Sequence, residues 1–290
     1  MAANEQTAAP PVVHVSIIVP ANDEELVIGR CLNAMMTGAE PGELEIIVVC
    51  NGCSDRTAAA ARAASLDATI VELPFASKTA ALNAGDVAAT RFPRFYVDAD
   101  VELSIGAIRA VAGVLVAGQF LCAAPAPRFE LTGRPWLIQQ FYDIWQRLPY
   151  LNDDVVGTGV YALSEAGRRR FLDFPHITAD DQFVLQQFDR SERHTLRDHH
   201  FLVHPPTRLG GLVKIRARAY RGNAELARSG FAVHPGSPSS GKALAALSRK
   251  PRNLPRVATY IGVNLAAKVR ARLWRRMRWE RDRTARLAAR

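Results

Sequence analysis

Between Val12 and Asp100 the chain repeats one pattern: a short apolar run, a turn, then a stretch with helical spacing. VVHVSIIVP (Val12 to Pro20) reads as a buried strand stopped by proline, and in LVIGRCLNAMM the apolar residues recur at helical intervals. LEIIVVCNG and TAAAARAAS repeat the pair, TIVELP (Thr69 to Pro74) and KTAALNAGDVAATRF repeat it again, and FYVDAD is a fourth run. Short apolar runs alternating with helices mark parallel strands covered on both faces. The expected fold is therefore α/β: a doubly wound, mostly parallel sheet with helices on both faces and ligands bound at the carboxyl ends of the strands. Asn22, Asn51, Lys78, Asp98 and Asp100 all fall at those ends. Asn22 or Asp23 is the expected cap of the first helix, and Ser54 or Asp55 that of the second.

In FYVDADVEL the apolar run ends in two aspartates one residue apart. On a strand, side chains i and i+2 share a face, so Asp98 and Asp100 are expected to point the same way. Two carboxylates that close repel each other unless a cation lies between them, and Mg²⁺ or Mn²⁺ held by carboxylates plus substrate phosphates is the usual resolution. The plainer reading is a strand-end turn, since Asp is a frequent turn former.

The formal net charge of +9 suits anionic partners such as nucleotides, phosphates, nucleic acid or lipid headgroups. Much of the excess lies after Arg249, where Glu280 and Asp282 are the only acids. A nucleic-acid binder needs basic and aromatic residues on one exposed surface. Here an acidic pair takes the strand ends instead, so no nucleic-acid partner is expected. The four cysteines fit a reducing cytosol, and Cys50 and Cys53 have no second pair with which to build a zinc site. MAANEQTAAPP has neither the basic nor the apolar region of a signal peptide, and no run approaches the roughly 18 apolar residues of a membrane span.

Four segments, IIVPANDEE, IIVVCNGCSDRT, KTAALNAGD and FYVDADVEL, in this order, resemble the nucleotide-sugar half of family 2 glycosyltransferases of the GT-A fold. The resemblance implies a nucleoside diphosphate sugar held by Pro20, Ala21, Asn22, Glu24, Asn51, Lys78 and Asp98, and a divalent cation, Mg²⁺ or Mn²⁺, held by Asp98 and Asp100. Two departures matter. The first motif usually places its Asn directly before Glu, whereas Asn22 here precedes Asp23 and Glu24. The second usually ends in an Asp that accepts from the base, and Asn51 stands there instead, which leaves both UDP- and GDP-linked donors open.

Past this half, SIGAIRAVAGVLVAG reads as a helix capped by Ser104, FLCAAPAPRFEL (Phe120 to Leu131) as a strand, and RPWLIQQFYDIWQRLPYL as an aromatic helix, more often core than sugar platform. Gly157 and Gly159 flank Thr158 either as a plain turn or as backbone that approaches a sugar. In ITADDQFVLQQF, Thr178 or Asp180 can cap a helix. By the resemblance, Asp181 is the catalytic base and Asp180 assists it. His204 is the candidate late metal ligand among His199, His200 and His204. Arg208, Lys214, Arg216, Arg218 and Arg221 recur at helical intervals, either as a solvated face or with one or two closing on the diphosphate, Arg221 among them. SGFAVHPGSPSSGK is a hinge, and VATYIGVNLAAKVRARLWRRMRW either lies in an anionic membrane interface or packs on the domain with its arginines exposed.

The expected organisation is a disordered lead (1–11), a nucleotide-sugar half (12–105), an acceptor and catalytic half (106–228), and a hinge with a basic amphipathic helical tail (229–290). The expected activity is metal-dependent, inverting transfer of one sugar to a hydroxyl of a saccharide or lipid-linked acceptor, as in cell-envelope, polysaccharide or glycolipid synthesis. The expected place is the cytoplasm, peripheral to the inner face of the cell membrane. A retaining transferase and an inactive nucleotide- or partner-binding protein are the alternatives.

Overall fold

The computed structural model describes residues 14–148, 159–231 and 241–273. Expectations for the lead, for Gly157 and Thr158, for most of the hinge and for the last part of the tail lie outside the described residues. The apolar runs become β1 (Val15–Ala21), β2 (Leu44–Asn51), β3 (Thr69–Leu73) and β4 (Arg94–Val97), and the stretches between them α1 (Ile28–Met36), α2 (Thr57–Ala64) and α3 (Lys78–Ala88). These four strands pair in parallel in the order β3, β2, β1, β4. Strand order therefore reverses at β1, and the crevice between the carboxyl ends of β1 and β4 is the switch point where such sheets bind ligands.

The sheet is mixed beyond β4. After β5 (Val101–Leu103) and α4 (Ile105–Val116), β6 (Cys122–Phe129) leads to α5 (Trp136–Trp145) and β7 (Val160–Leu163). Then come α6 (Glu165–Arg168), α7 (Asp180–Leu185), β8 (Arg193–Val203), α8 (Leu209–Ser229), α9 (Gly241–Ser248) and α10 (Leu254–Leu273). β7 is antiparallel to β4 and β6, and β8 joins β6 in parallel to β5 antiparallel, giving eight strands in one sheet. A strand's period of two sorts its side chains between two cores. Ile17 and Val19 pack with Leu32, Val111 and Phe201 on one face. Ile18 packs with Leu82, Tyr161 and Phe183 on the other.

A third apolar cluster joins α5, α8 and α10. Phe141 stacks on Tyr260 with ring centroids 5.1 Å apart, so the aromatic helix is core rather than a sugar platform. Arg216, one of the helical basic series, lies over Trp145 at 5.3 Å and donates to Asn264 Oδ1 at 3.2 Å. Half-buried, it holds α8 to α10.

Three local expectations are corrected. Strand β4 ends at Val97, and Asp98 to Asp100 form a turn closed by the Val101 amide donating to the Asp98 carbonyl at 3.3 Å. Strand alternation thus does not orient the two aspartates. Neither Asn22 nor Asp23 caps α1, whose N-cap is Val27 without a side-chain bond, because both are drawn across to the β2 turn. The N-cap of α2 is likewise not Ser54 or Asp55 but Arg56, without a side-chain bond. Asp180 and Asp181 lie inside the first turn of α7, after an N-cap at Ala179 that receives no side-chain bond.

Candidate active site

At the end of β1, Asn22 donates to the carbonyls of Asn51 and, at 2.9 Å, Gly52, while Asp23, held at φ 52°, accepts from the Ser54 amide at 2.6 Å. Asn51, 1% exposed, donates to the Ala21 carbonyl at 2.8 Å and accepts from the Ser77 amide at 3.0 Å. Its amide is engaged on both sides, so it shapes the loop and turns no free face to a base. Gly52, at φ +56°, has its absent Cβ within 2.4 Å of the Ala76 amide nitrogen, a close approach that only glycine allows. Glu24 is buried, and its backbone amide donates to Thr57 Oγ1 at 2.7 Å.

Ser77 then caps α3, accepting from the Ala80 amide at 3.2 Å, and sets Lys78 at the helix start. The Lys78 ammonium lies 2.8 Å from Asp98 Oδ1 and 3.1 Å from Asp180 Oδ2. One cation thus joins the turn after β4 to the start of α7, two segments that the sequence holds far apart. Pro20, Lys78, Asp98, Gly159, Tyr161, Asp180 and Asp181 line one cleft at the switch point. Gly159 closes it from β7: its carbonyl accepts from the Asp98 amide at 2.7 Å, and at φ +117° a Cβ there would meet Val101 at 3.0 Å and Asp98 Oδ2 at 3.4 Å.

Burial pulls the Lys78 pKa down, yet Asp180, Asp98 and Asp181 together hold it above its ordinary value, so it stays charged. Asp180, 3% exposed, is raised by burial and by Asp98 against the pull of Lys78. Asp181 is half-buried, and desolvation, with Asp180 adding, pushes it up to about 7. Its Oδ1 accepts only a local bond, from the Gln182 amide at 2.7 Å. A carboxylate poised near neutrality in a cleft is a fitting general base.

His204 follows β8 directly, and the β5 to β8 register, with Val101 opposite Val203, puts it next to Asp100. Its Nε2 contacts Glu102 Oε1 at 2.6 Å, leaving Nδ1 for another partner. Asp98, Asp100 and His204 do not converge as a preformed trio. Among the described residues, three metal-ligating atoms come within 4.8 Å of one another only at Asp23, Cys53 and Asp55. Arg221 is half-buried on α8, and the next residue, Gly222, packs against Ala179, where a Cβ would approach to 3.1 Å.

Tyr161 is a cleft residue that sequence reasoning missed. It is 5% exposed, stacks on Tyr96 at 4.9 Å, and its buried hydroxyl has no hydrogen-bond partner among the described residues. Its one sequence signal is an aromatic in VYAL, a strand otherwise made of small aliphatic residues.

The family model for glycosyl transferase family 2 matches residues 16–173, more than half of the chain. The chain belongs to glycosyl transferase family 2. This glycosyltransferase is similar in fold to the mannosyltransferase PcManGT from Pyrobaculum calidifontis, solved with GDP-Man and Mn²⁺, at TM-score 0.65 and 19% identity over 93% of this chain and 91% of that one. It is also similar to glucosyl-3-phosphoglycerate synthase from Mycobacterium tuberculosis, solved with phosphoglyceric acid, at TM-score 0.56 and 19% identity over 78% of this chain and 82% of that one. No curated protein sequence matches it.

Proposed function

We propose that this glycosyltransferase moves one sugar from a UDP- or GDP-linked donor to an acceptor hydroxyl with inversion at the anomeric carbon. The observation that carries this is the convergence of Asp98, Lys78, Asp180 and Asp181 in one cleft at the sheet's switch point. Asp181 takes the proton from the attacking hydroxyl, Asp180 and Lys78 fix its surroundings, and the Lys78 charge offsets that of the leaving diphosphate. GDP-Man in the mannosyltransferase complex and UDP-Glc in a complex of the synthase support a nucleoside diphosphate sugar and leave the base open.

The donor set suits Mg²⁺ or Mn²⁺. Asp100 and His204 are neighbours in register, and the His204 contact to Glu102 is the support a ligating imidazole commonly has. With Asp98 on Lys78, Asp100 and His204 would hold such an ion and substrate phosphates would complete its shell, as Mg²⁺ usually requires. The ion's chemistry when bound is Lewis-acid neutralisation of the departing diphosphate.

Thermal shift with a panel of nucleotide sugars tests this. At a ligand concentration 100 times its Kd, donor plus Mn²⁺ should add about 2.7 kcal/mol of stability. Neither component alone should come near that, and Asp100→Ala should abolish the joint effect. Absence of a metal-dependent shift with every donor would contradict the donor site, and an α-linked product from an α-linked donor, seen by NMR, would contradict inversion.

We also propose peripheral contact with anionic membrane. Among the described residues no helix is long and apolar enough to cross a bilayer. The face of α10 turned away from the domain carries Leu254, Ile261, Leu265, Val269 and Leu273, between 47% and 75% exposed, and Arg272 and Lys268 flank it. Such a helix lies in an interface with its basic groups on acidic headgroups. Co-sedimentation with phosphatidylglycerol-containing vesicles should exceed that with neutral vesicles about tenfold and be lost in Ile261→Asp/Leu265→Asp. Equal binding to both vesicle types, or none to either, refutes the contact.

A further inference from the structure

Arg134 sits in the turn between β6 and α5, where its amide donates to the Leu131 carbonyl at 3.1 Å and Pro135 caps the helix. It is only 8% exposed, its Nε is buried without a hydrogen bond, and among the described residues its guanidinium meets no carboxylate at ion-pair distance. Arginine at such depth is ordinarily paired, because an uncompensated buried charge is strongly destabilising. The charged groups that act on it are Glu130, a half-buried acid already accepting from the Thr132 amide at 2.8 Å, and Arg30, which repels it.

Its position ties it to the reaction. The Glu130 amide donates to the Val203 carbonyl at 2.9 Å, and Val203 is opposite Val101. The turn bearing Arg134 therefore adjoins His204 and the start of β5, next to Asp100. Arg30 reaches the same edge, 3.0 Å from Glu102.

We propose that Arg134 receives a phosphate or carboxylate group of the acceptor, so that the sugar is placed on an anionic molecule. The assignment rests on the transferase reading above and names the acceptor's chemistry. A planar guanidinium binds two oxygens of such a group at once, and Arg30 adds charge beside it.

Calorimetry on the full chain saturated with nucleoside diphosphate and Mn²⁺ is the test, with inorganic phosphate and glycerol 3-phosphate as probes. The loaded wild type should bind at least one of them, and Arg134→Gln and Arg134→Met should weaken that binding at least tenfold while nucleoside diphosphate affinity stays within threefold. Arg134→Met, which replaces a charge that meets no carboxylate among the described residues by an apolar chain of similar length, should melt no lower than wild type in phosphate-free buffer. The assignment is overturned if the loaded wild type binds neither anion, or if the variants bind as it does. It is equally overturned if the variants lose nucleoside diphosphate affinity tenfold and nothing else, since the group on Arg134 would then be the donor's own diphosphate. Titrating nucleoside diphosphate with Mn²⁺ into the unloaded chain separates a failure of the donor reading, seen as no nucleotide binding, from a failure at Arg134.

Discussion

Asp181→Asn is expected to lower kcat by about 10²–10⁴-fold while nucleotide affinity stays within about threefold, because the change removes a proton acceptor and keeps the shape. The wild-type rate should fall as pH drops below about 7, where Asp181 becomes protonated, and that acid limb should vanish from the residual rate of the variant. Stability should move the other way. A folded-state pKa raised from 3.8 to about 7 means that the folded chain holds this proton more tightly than the unfolded one. The group's contribution is therefore most favourable below pH 3.8 and is lost as pH rises towards 7. At pH 8 the free Asp181→Asn protein should be more stable by about 1–2 kcal/mol, read as a higher Tm. A variant with unchanged kcat would remove Asp181 as the base, and one equally active but less stable at pH 8 would also deny the raised pKa.

Asp86→Ala should cost about 3–5 kcal/mol in urea unfolding, the largest stability effect expected of any single change in the domain. Asp86 is 8% exposed, and one carboxylate oxygen accepts from Arg94 and from the Tyr96 hydroxyl, each at 2.8 Å, while the other accepts from Arg168 at 2.7 Å. Arg168 also reaches the carbonyls of Phe171 and Leu172 and stacks over the Phe171 ring at 4.4 Å. The alanine variant leaves two guanidinium groups facing each other in a nearly dry space, so the loss comes from uncompensated charge more than from missing bonds. Asp86→Asn, which retains an acceptor for Tyr96 and one arginine, should recover part of it. A loss below about 1 kcal/mol for Asp86→Ala would mean that water enters and screens the pair.

Much of this was legible because it is local. The apolar runs marked the strands, Ser104 caps α4 as its position suggests, and the acidic pairs and Lys78 stand at strand and helix ends. What escaped depends on contacts distant in sequence. Alternation stops applying where ladder bonds stop, at Val97, so the orientation of Asp98 was not readable from its neighbours. Asn22 and Asn51 stand in the motifs that carry the family resemblance, and their bonds to the facing loops could not be read from those motifs. Asp86 and Arg134 gave no signal and Tyr161 only its aromatic ring in VYAL, since what each does depends on its burial in the folded chain.

The placement of Lys78 has a consequence for what enters the cleft. An ammonium wedged between two acids acts as an internal counter-ion, so the resting pocket carries less negative charge than its carboxylates alone would give it. Any anion that enters must compete with those acids for the same positive group.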